Sequence, residues 1–210
     1  MSFYSQNRED EFIAGLGLEI NSVLDIGAND GETLSNSRHF IDRYNASAIL
    51  IEPDPTAFSK LFDLYKHNDR IGMISGMMVS DKFGHSLRPF YPFADSLIST
   101  ADPLYRDIWE VKPRGMYRVA CLDWTDLVAE FGDFGCDLIS IDAEGLSISI
   151  ANSMPAHIIR AAKVIVIERN NVRAARGNGY EKAPMSDFDR IIQLGKRVIH
   201  ETGENLIFAN

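Results

Sequence analysis

The sequence has few cysteines and no long apolar run. Its 210 residues include only two cysteines, Cys121 and Cys136, which form no C-x-x-C pair. Isolated cysteines in apolar surroundings are typical of buried free thiols rather than of a disulfide or a zinc site, so we expect a reducing, cytoplasmic location. No apolar stretch approaches the roughly 20 residues of a membrane span, and the polar segment 2–11 does not resemble a signal peptide. We therefore expect no membrane partner.

Positive charge is also scarce. Lysine and arginine number 21 against 30 aspartates and glutamates, which gives a formal net charge of -9, and no basic run is longer than two residues. A protein that binds duplex DNA or RNA needs a basic surface that neutralises phosphates. The composition therefore argues against nucleic acid as a partner.

Two common phosphate-binding motifs are missing. The glycines of segment 27–31 have the spacing G-x-x-x-G, and no Lys-Ser or Lys-Thr follows them. The segment is therefore neither a P-loop nor the G-x-G-x-x-G fingerprint of dinucleotide-binding proteins, which argues against a nicotinamide-dependent oxidoreductase. A nucleoside without phosphates fits this loop better.

The segment 23–31 nevertheless has the pattern of a ligand-binding loop. Apolar residues lead into Asp25, a glycine-bearing turn follows, and a helix is predicted from about 32 to 44. Gly27 and Gly31 can present bare backbone to a ligand, beside the free amides at the start of the predicted helix. The segment is therefore interpreted as a strand, a tight loop and a helix start.

A carboxylate ends the next predicted strand. The apolar run 48–51 is followed by Glu52 and Pro53. In a parallel sheet, an acidic residue about twenty positions after the glycine loop accepts hydrogen bonds from the two hydroxyls of a ribose. We therefore expect Glu52 to hold the sugar of a nucleoside.

Strand and helix patterns alternate along most of the chain, which predicts one α/β domain over residues 1–210. We expect a parallel sheet with helices on both faces and the ligand at the carboxyl ends of the strands. A short amphipathic helix at about 3–16 precedes this core, and the irregular segment 80–118 is predicted as a hairpin or excursion followed by a long loop of the kind that often binds ligands. The other elements are predicted as helix 56–67, strand 71–79, helix 123–131, strand 136–141, helix 146–153, strand 163–167, helix 184–194 and an antiparallel pair at 197–201 and 205–209.

Six short motifs, in this order, resemble those of FkbM-type S-adenosylmethionine-dependent methyltransferases: Tyr4-Ser5-Gln6 with Glu9-Asp10, Leu24-Asp25-Ile26-Gly27-Ala28-Asn29-Asp30-Gly31, Glu52-Pro53-Asp54, Val79-Ser80-Asp81-Lys82-Phe83-Gly84, Ile141-Asp142-Ala143-Glu144-Gly145 and Asn205-Leu206-Ile207-Phe208. The resemblance covers nearly the whole chain. It implies a Rossmann-like class I methyltransferase sandwich with a mostly parallel seven-stranded sheet, into which the seventh strand is inserted antiparallel. It also implies S-adenosylmethionine as cofactor, S-adenosylhomocysteine as product, and commonly O-methylation of a hydroxyl on a sugar, a glycan or another small molecule.

The positions of the acids at the predicted strand ends indicate their roles. Asp25 is expected to orient the loop and meet the amino-acid end of the cofactor, and Glu52 to hold its ribose. Asp81 is either a turn former or a hydrogen-bond acceptor for the adenine amino group, and the resemblance favours the second role. We expect the following residues to bind the cofactor: Asp25, Gly27, Ala28, Asn29, Gly31, Glu52, Pro53, Asp81 and Asp142.

Asp142 and Glu144 follow an apolar strand, and they are the predicted catalytic residues. Two acids at this place can stabilise a sulfonium, hold an acceptor hydroxyl, remove its proton or share a divalent metal. The alternative is a solvated loop in which Glu144 caps the next helix. A metal is not favoured, because only one further acid, Glu168, ends the neighbouring strand.

One position departs from the family pattern. Relatives often carry another acid two residues after Gly145, where this chain has Ser147. This departure motivates a second hypothesis, in which the domain binds S-adenosylmethionine or a partner but is catalytically silent.

Overall fold

The computed structural model describes residues 2–78, 86–108, 111–132, 135–171 and 181–210. Within these ranges the chain forms twelve strands: β1 (Ser22–Ile26), β2 (Ser47–Glu52), β3 (Ile71–Ser75), β4 (Met77–Met78), β5 (Leu87–Phe90), β6 (Tyr117–Leu122), β7 (Leu138–Ile141), β8 (Val164–Glu168), β9 (Asn170–Asn171), β10 (Glu181–Lys182), β11 (Arg197–Glu201) and β12 (Asn205–Ala209). The same ranges contain eight α-helices: α1 (Glu9–Gly15), α2 (Arg38–Tyr44), α3 (Pro55–Tyr65), α4 (Pro103–Arg106), α5 (Trp124–Phe131), α6 (Ser147–Ser153), α7 (Ala156–Ala161) and α8 (Asp189–Gln193).

Seven strands form one sheet in the spatial order β11-β12-β8-β7-β1-β2-β3. The strands β8, β7, β1, β2 and β3 are parallel to one another. β12 is antiparallel to β8 and to β11, so one reversed strand is inserted near this edge. The predicted α/β class, the mostly parallel seven-stranded sheet and the inserted antiparallel strand are all confirmed.

Alternating apolar residues distribute the core over both faces of the sheet. In β1, Leu24 and Ile26 pack toward α5–α8, whereas Val23 packs toward α1–α3. Every residue of β8 is buried, as expected for a parallel strand that is covered on both sides.

Cys121 and Cys136 are buried free thiols, as predicted. Among the described residues, no helix combines the length and the apolar character that crossing a bilayer requires.

The prediction that a helix begins directly after the glycine loop is wrong, because α2 begins only at Arg38. The Asp30 carboxylate accepts hydrogen bonds from the amides of Glu32 and Thr33, which closes a local turn instead of a helical one. Ser35 Oγ then accepts from the Arg38 amide at 3.1 Å and stands before the helix start. The loop after β1 is therefore longer than the sequence pattern indicated.

The N-terminal helix is also shorter than predicted, since α1 covers only the second half of the segment 3–16. The Asp10 carboxylate accepts hydrogen bonds from the Tyr4 amide at 2.6 Å and from Ser5 Oγ at 2.6 Å. These contacts hold residues 4 and 5 outside the helix. Arg8, just before the helix, has a left-handed backbone with φ of 64°.

The predicted third strand, 71–79, is interrupted at Gly76. The Gly76 amide donates to Glu52 O at 3.1 Å, after which β4 leaves the main sheet and pairs in parallel with β6. A Cβ at Gly76 would lie 3.1 Å from Leu122 Cδ1 and 3.3 Å from Ala120 O, so β6 packs closely against this bend. The third strand therefore ends at Ser75.

The segment predicted as a hairpin or excursion followed by a long loop contains more regular structure than expected. β5 pairs antiparallel with β6, and between them lie a 3-10 turn at Ser96–Ile98 and the short helix α4. Asp95 and Asp102 cap these two turns by accepting from the amides of Leu97 and Leu104. Thr100 Oγ1 donates to Glu144 O at 2.6 Å. This hydrogen bond fixes segment 80–118, called the insertion below, over the loop after β7.

Candidate active site

A polar cavity of about 270 Å³ lies at the carboxyl ends of the parallel strands. It is bounded by the ends of β1, β7 and β8 and covered by the insertion. No lysine, arginine or histidine lines it within the described part of the chain. Its lining includes six acids: Asp25, Asp95, Asp142, Glu144, Glu168 and Glu204.

A smaller cavity of about 70 Å³ adjoins the first at the end of β2. Glu52 gives it a carboxylate, next to Pro53, and Met77, Met78 and Phe90 form an apolar side. Residues common to both linings are Gly27, Asn29, Leu97, Asp142 and Glu144. Together the two cavities reach the lower end of the roughly 300–1,000 Å³ range of small-molecule sites.

Gly27 brings the loops after β1 and β7 into contact. Its φ is 89°, and a Cβ built on it would lie 1.7 Å from Asp142 O. The amides of Gly27 and Ala28 both donate to Ile51 O, at 2.9 and 3.1 Å, which ties the same loop to β2. Gly27 is therefore required by backbone packing, and it also lines both cavities.

We predict that Gly27→Ala destabilises the fold by at least ~2 kcal/mol more than Gly195→Ala, as measured by urea unfolding. Gly195 is a matched control, because its φ is also positive, at 102°, but nothing lies within 4 Å of its Cβ position. Equal losses in the two variants would contradict the role given to the Asp142 contact.

Gly31 does not lie at the cavity. Its φ is 77°, and a Cβ there would lie 2.6 Å from Leu61 Cδ1 and 3.1 Å from Tyr65 Cε2. The glycine therefore permits the loop to pack on α3. The motif alone could not distinguish this packing role from contact with a ligand. Asp81, the predicted adenine contact, lies outside the described residues.

Asn29 adopts a left-handed backbone, with φ of 49°, at the junction of the two cavities. Its amide donates to Glu52 Oε2 at 2.8 Å. Its side-chain Oδ1 and Nδ2 atoms are buried without a hydrogen-bond partner in the described structure. Such atoms are rarely left unpaired in native proteins, so they are free to bond water or a ligand in the cavity.

Glu52 ends β2 with its carboxylate turned into the smaller cavity. Its Oε1 accepts from the Asp54 amide at 2.6 Å, and Oε2 accepts from the Asn29 amide. Burial raises the pKa of Glu52 to about 8, although these two amide donors lower it. Each oxygen keeps a further lone pair, so the carboxylate can still accept from a ligand hydroxyl.

Asp25 lies deeper in the larger cavity and is only 4% exposed. Burial raises its pKa from 3.8 to about 6, while the hydroxyls of Ser37 and Ser140 lower it. The sequence pattern identified Asp25 but gave no signal for the two serines, of which Ser37 directly precedes α2 and Ser140 is in β7.

We predict that Asp25→Asn raises the free energy of unfolding by about 1–2 kcal/mol at pH 8. Because the folded pKa is raised, the carboxyl contributes less stability as the pH rises from its unfolded value of about 4 through about 6. An asparagine avoids this loss, and the serine hydroxyls can bond its amide. Urea unfolding at pH 8 and pH 4.5 checks the result: the gain should be clearly smaller at pH 4.5, which lies near the unfolded pKa, and an equal gain at the two pH values would contradict it.

Asp142, Glu144 and Glu168 form a cluster in which one oxygen of each lies within 4.8 Å of the others. Burial, followed by the charge of Glu168, raises the pKa of both Asp142 and Glu144. A side-chain hydrogen bond between Asp142 and Glu168 also raises the pKa of Asp142, and burial raises the pKa of Glu168. Glu144 also has a strained backbone with φ of 40°, a feature that functional sites often retain.

Ser147 holds Glu168 in this cluster. Its Oγ donates to Glu168 Oε2 at 2.6 Å and accepts from the Ala143 amide at 2.8 Å. Asn170 Nδ2 donates to Glu168 Oε1 at 2.6 Å. The position where relatives often carry an acid is therefore next to a carboxylate supplied by β8.

The predicted site residues largely come together. Both cavities are lined by the β1 loop and by the predicted catalytic pair Asp142 and Glu144. Sequence reasoning did not find Leu97, which segment 80–118 places over the larger cavity together with Tyr105, an aromatic residue that could be expected at an acceptor pocket. It also missed Asn205, at the start of β12, although that residue is in a quoted motif.

The fold and the carboxylate-lined strand ends define a class I methyltransferase domain with a Rossmann-like sheet. The sequence matches the family described as the methyltransferase FkbM domain over residues 25–198. The chain therefore belongs to the FkbM methyltransferase family. A search of curated proteins gives no match.

One solved structure shows the same fold, and a second is more distantly similar. A methyltransferase FkbM from Methylobacillus flagellatus KT is 16% identical with a TM-score of 0.58; the alignment covers 99% of this chain and 48% of that one, so this chain spans about half its length. A precorrin-6y C5,15-methyltransferase from Geobacter metallireducens GS-15 is 13% identical with a TM-score of 0.47, covering 96% and 87% of the two chains.

Proposed function

We propose that this domain binds S-adenosylmethionine and transfers its methyl group to a hydroxyl of a sugar, a glycan or another small molecule. The observation that supports this most directly is the continuous pair of cavities from Glu52 to Asp142, at the ends of three adjacent strands. One end offers an acid for a ribose, and the other offers carboxylates for a reacting centre.

The residues present fit the cofactor. The apolar side formed by Met77, Met78 and Phe90 suits an adenine, next to the carboxylate of Glu52 for the ribose. The unpaired side-chain atoms of Asn29 and the carboxylate of Asp25 suit the ammonium and carboxylate of the amino-acid end. The acidic lining suits a positively charged sulfur.

The reaction requires mainly alignment and removal of one proton. S-adenosylmethionine supplies a methyl group on a positively charged sulfur, which is already activated for transfer. The protein aligns an acceptor oxygen opposite the carbon–sulfur bond, and the electron pair of that bond remains on sulfur as the new carbon–oxygen bond forms. Asp142 or Glu144 takes the hydroxyl proton, because both line the larger cavity, where the acceptor is proposed to bind.

The acceptor is proposed to be a neutral or positively charged small molecule or glycan rather than a nucleic acid. Six acids line the larger cavity, and the net charge of the chain is -9. The negatively charged phosphodiester backbone of a nucleic acid would be repelled by these acids.

The test has two stages. Calorimetry with S-adenosylmethionine measures binding first, and methyl-labelled S-adenosylmethionine is then incubated with the protein and sugar-containing extracts. Binding followed by label in an acceptor supports the proposal, and failure to bind at millimolar concentration rejects it. Binding without transfer to any extract supports the silent hypothesis motivated by Ser147.

A further inference from the structure

We infer that Asp142, Glu144 and Glu168 form a binding site for one divalent cation, beside the proposed methyl-transfer position. From the sequence a metal was not favoured, because the pair Asp142 and Glu144 after β7 has only one further acid, Glu168, at the end of the neighbouring strand. The fold brings these three acids together. The binding of a cation does not depend on the proposed function, whereas its use in the reaction does.

The spacing of the three carboxylates suits a hard cation. One oxygen from each residue lies within 4.8 Å of the others. Two oxygens bound to the same ion at roughly 2.1–2.5 Å lie no more than about 5 Å apart. All-oxygen donors are the ligands that Mg²⁺, Mn²⁺ and Ca²⁺ prefer, whereas zinc sites usually include histidine or cysteine.

Unpaired oxygens at the same place are an independent indication of a ligand. Asn205 is only 5% exposed and pairs in register with Glu168 across β12 and β8. Its Nδ2 donates to Glu9 Oε1, and its Oδ1 is buried without a partner in the described structure. Glu144 Oε2 is likewise buried without a partner. Both residues line the larger cavity.

Outer contacts orient the proposed ligands. Ser147 and Asn170 each donate to one oxygen of Glu168, and Tyr105 bonds Glu144. Such partners fix the direction of a ligating carboxylate, and removing one typically weakens metal binding by about 10–100-fold. Ser147 is therefore a positioning residue for the cation site.

A cation in this position would bind the acceptor oxygen and lower the pKa of its hydroxyl. Each carboxylate has two oxygens, so one can bind the ion while the other accepts the proton. The cation would thus assist the role proposed for Asp142 and Glu144 without replacing it.

The experiment is a Mn²⁺ titration of the chelator-treated protein, followed by the electron paramagnetic resonance signal of free Mn²⁺. We expect one Mn²⁺ per chain at sub-millimolar concentration, displaced by excess Mg²⁺ or Ca²⁺. Asp142→Asn, Glu168→Gln and Glu144→Gln should each weaken binding at least tenfold. The control Asp63→Asn removes the same charge on exposed α3 and should leave binding unchanged.

Two serine variants on α6 distinguish the positioning of Glu168 by Ser147 from general damage to the helix. Ser147→Ala should weaken Mn²⁺ binding about tenfold. Ser149→Ala should not, because Ser149 is exposed on the same helix and bonds only Leu146 O in the described structure. Circular dichroism confirms that each variant is folded.

The inference is overturned if the wild-type protein binds no Mn²⁺ at millimolar concentration, or if folded Asp142→Asn and Glu168→Gln bind it as the wild type does. Calorimetry with S-adenosylhomocysteine on the same preparations separates the two proposals. Nucleoside binding without Mn²⁺ binding overturns the cation site alone. Mn²⁺ binding without nucleoside binding overturns the proposed function alone.

Discussion

Glu52→Gln should weaken S-adenosylhomocysteine binding by about 30-fold or more, since a charged acceptor for two ribose hydroxyls is lost. The carboxylate already accepts from the amides of Asn29 and Asp54, so the glutamine also turns an NH2 group toward one of these donors. Calorimetry at pH 8.5 measures the change. Glu130→Gln, on the exposed face of α5, is the control and should bind like the wild type.

The same residue gives a pH dependence. Because the pKa of Glu52 is raised to about 8, the free protein holds a proton there below this pH, and accepting both hydroxyls requires the ionised form. Affinity for S-adenosylhomocysteine should therefore rise as the pH increases from 6 to about 8. Glu52→Gln should flatten this rise. If the affinity of the variant still rises steeply with pH, the pH dependence belongs to another group.

Asp142→Asn should reduce methyl transfer by about 100-fold or more while the protein remains folded, because general-base catalysis typically contributes 10²–10⁴-fold. Asn keeps the shape of the side chain but accepts no proton. Initial rates with labelled S-adenosylmethionine and a responding extract measure the effect.

Asp137→Asn is the matched control, because Asp137 precedes the same strand at its opposite end, where it accepts from the Asn21 amide and pairs with Lys163. Its initial rate should equal that of the wild type. Unchanged rates in folded Asp142→Asn would reject a catalytic role for this carboxylate.

The main sheet was predictable from local pattern. β2, β7 and β8 are short apolar runs that turn signals and helix patterns separate, and the terminal pair β11 and β12 flanks the turn at Gly203. The predicted starts of two helices were wrong because of local hydrogen bonds, which the spacing of apolar residues does not reveal. Asp30 and Asp10 bond nearby amides and thereby delay α2 and α1.

The site residues were predictable where each follows a single apolar run. Asp25, Glu52, Asp142 and Glu144 follow apolar runs, so the rule that ligands bind at carboxyl strand ends located them. The meeting of Glu168 with Asp142 depends on the pairing of β7 with β8, which no single stretch encodes.

Loop contacts across the fold were also invisible in the sequence. The Thr100 contact to Glu144 joins positions 44 apart, and Asn205 reaches Glu9 across 196 positions. The G-x-x-x-G spacing likewise could not show that Gly27 faces Asp142 whereas Gly31 faces α3.

The most direct test of the central claim is a crystal structure of the protein soaked with S-adenosylhomocysteine. The account predicts that the ribose hydroxyls lie within hydrogen-bond distance of Glu52 and that the amino-acid end lies beside Asp25 and Asn29. The sulfur should then face Asp142 and Glu144. The account would be contradicted if the nucleoside bound elsewhere, or if neither cavity contained it after a soak at millimolar concentration.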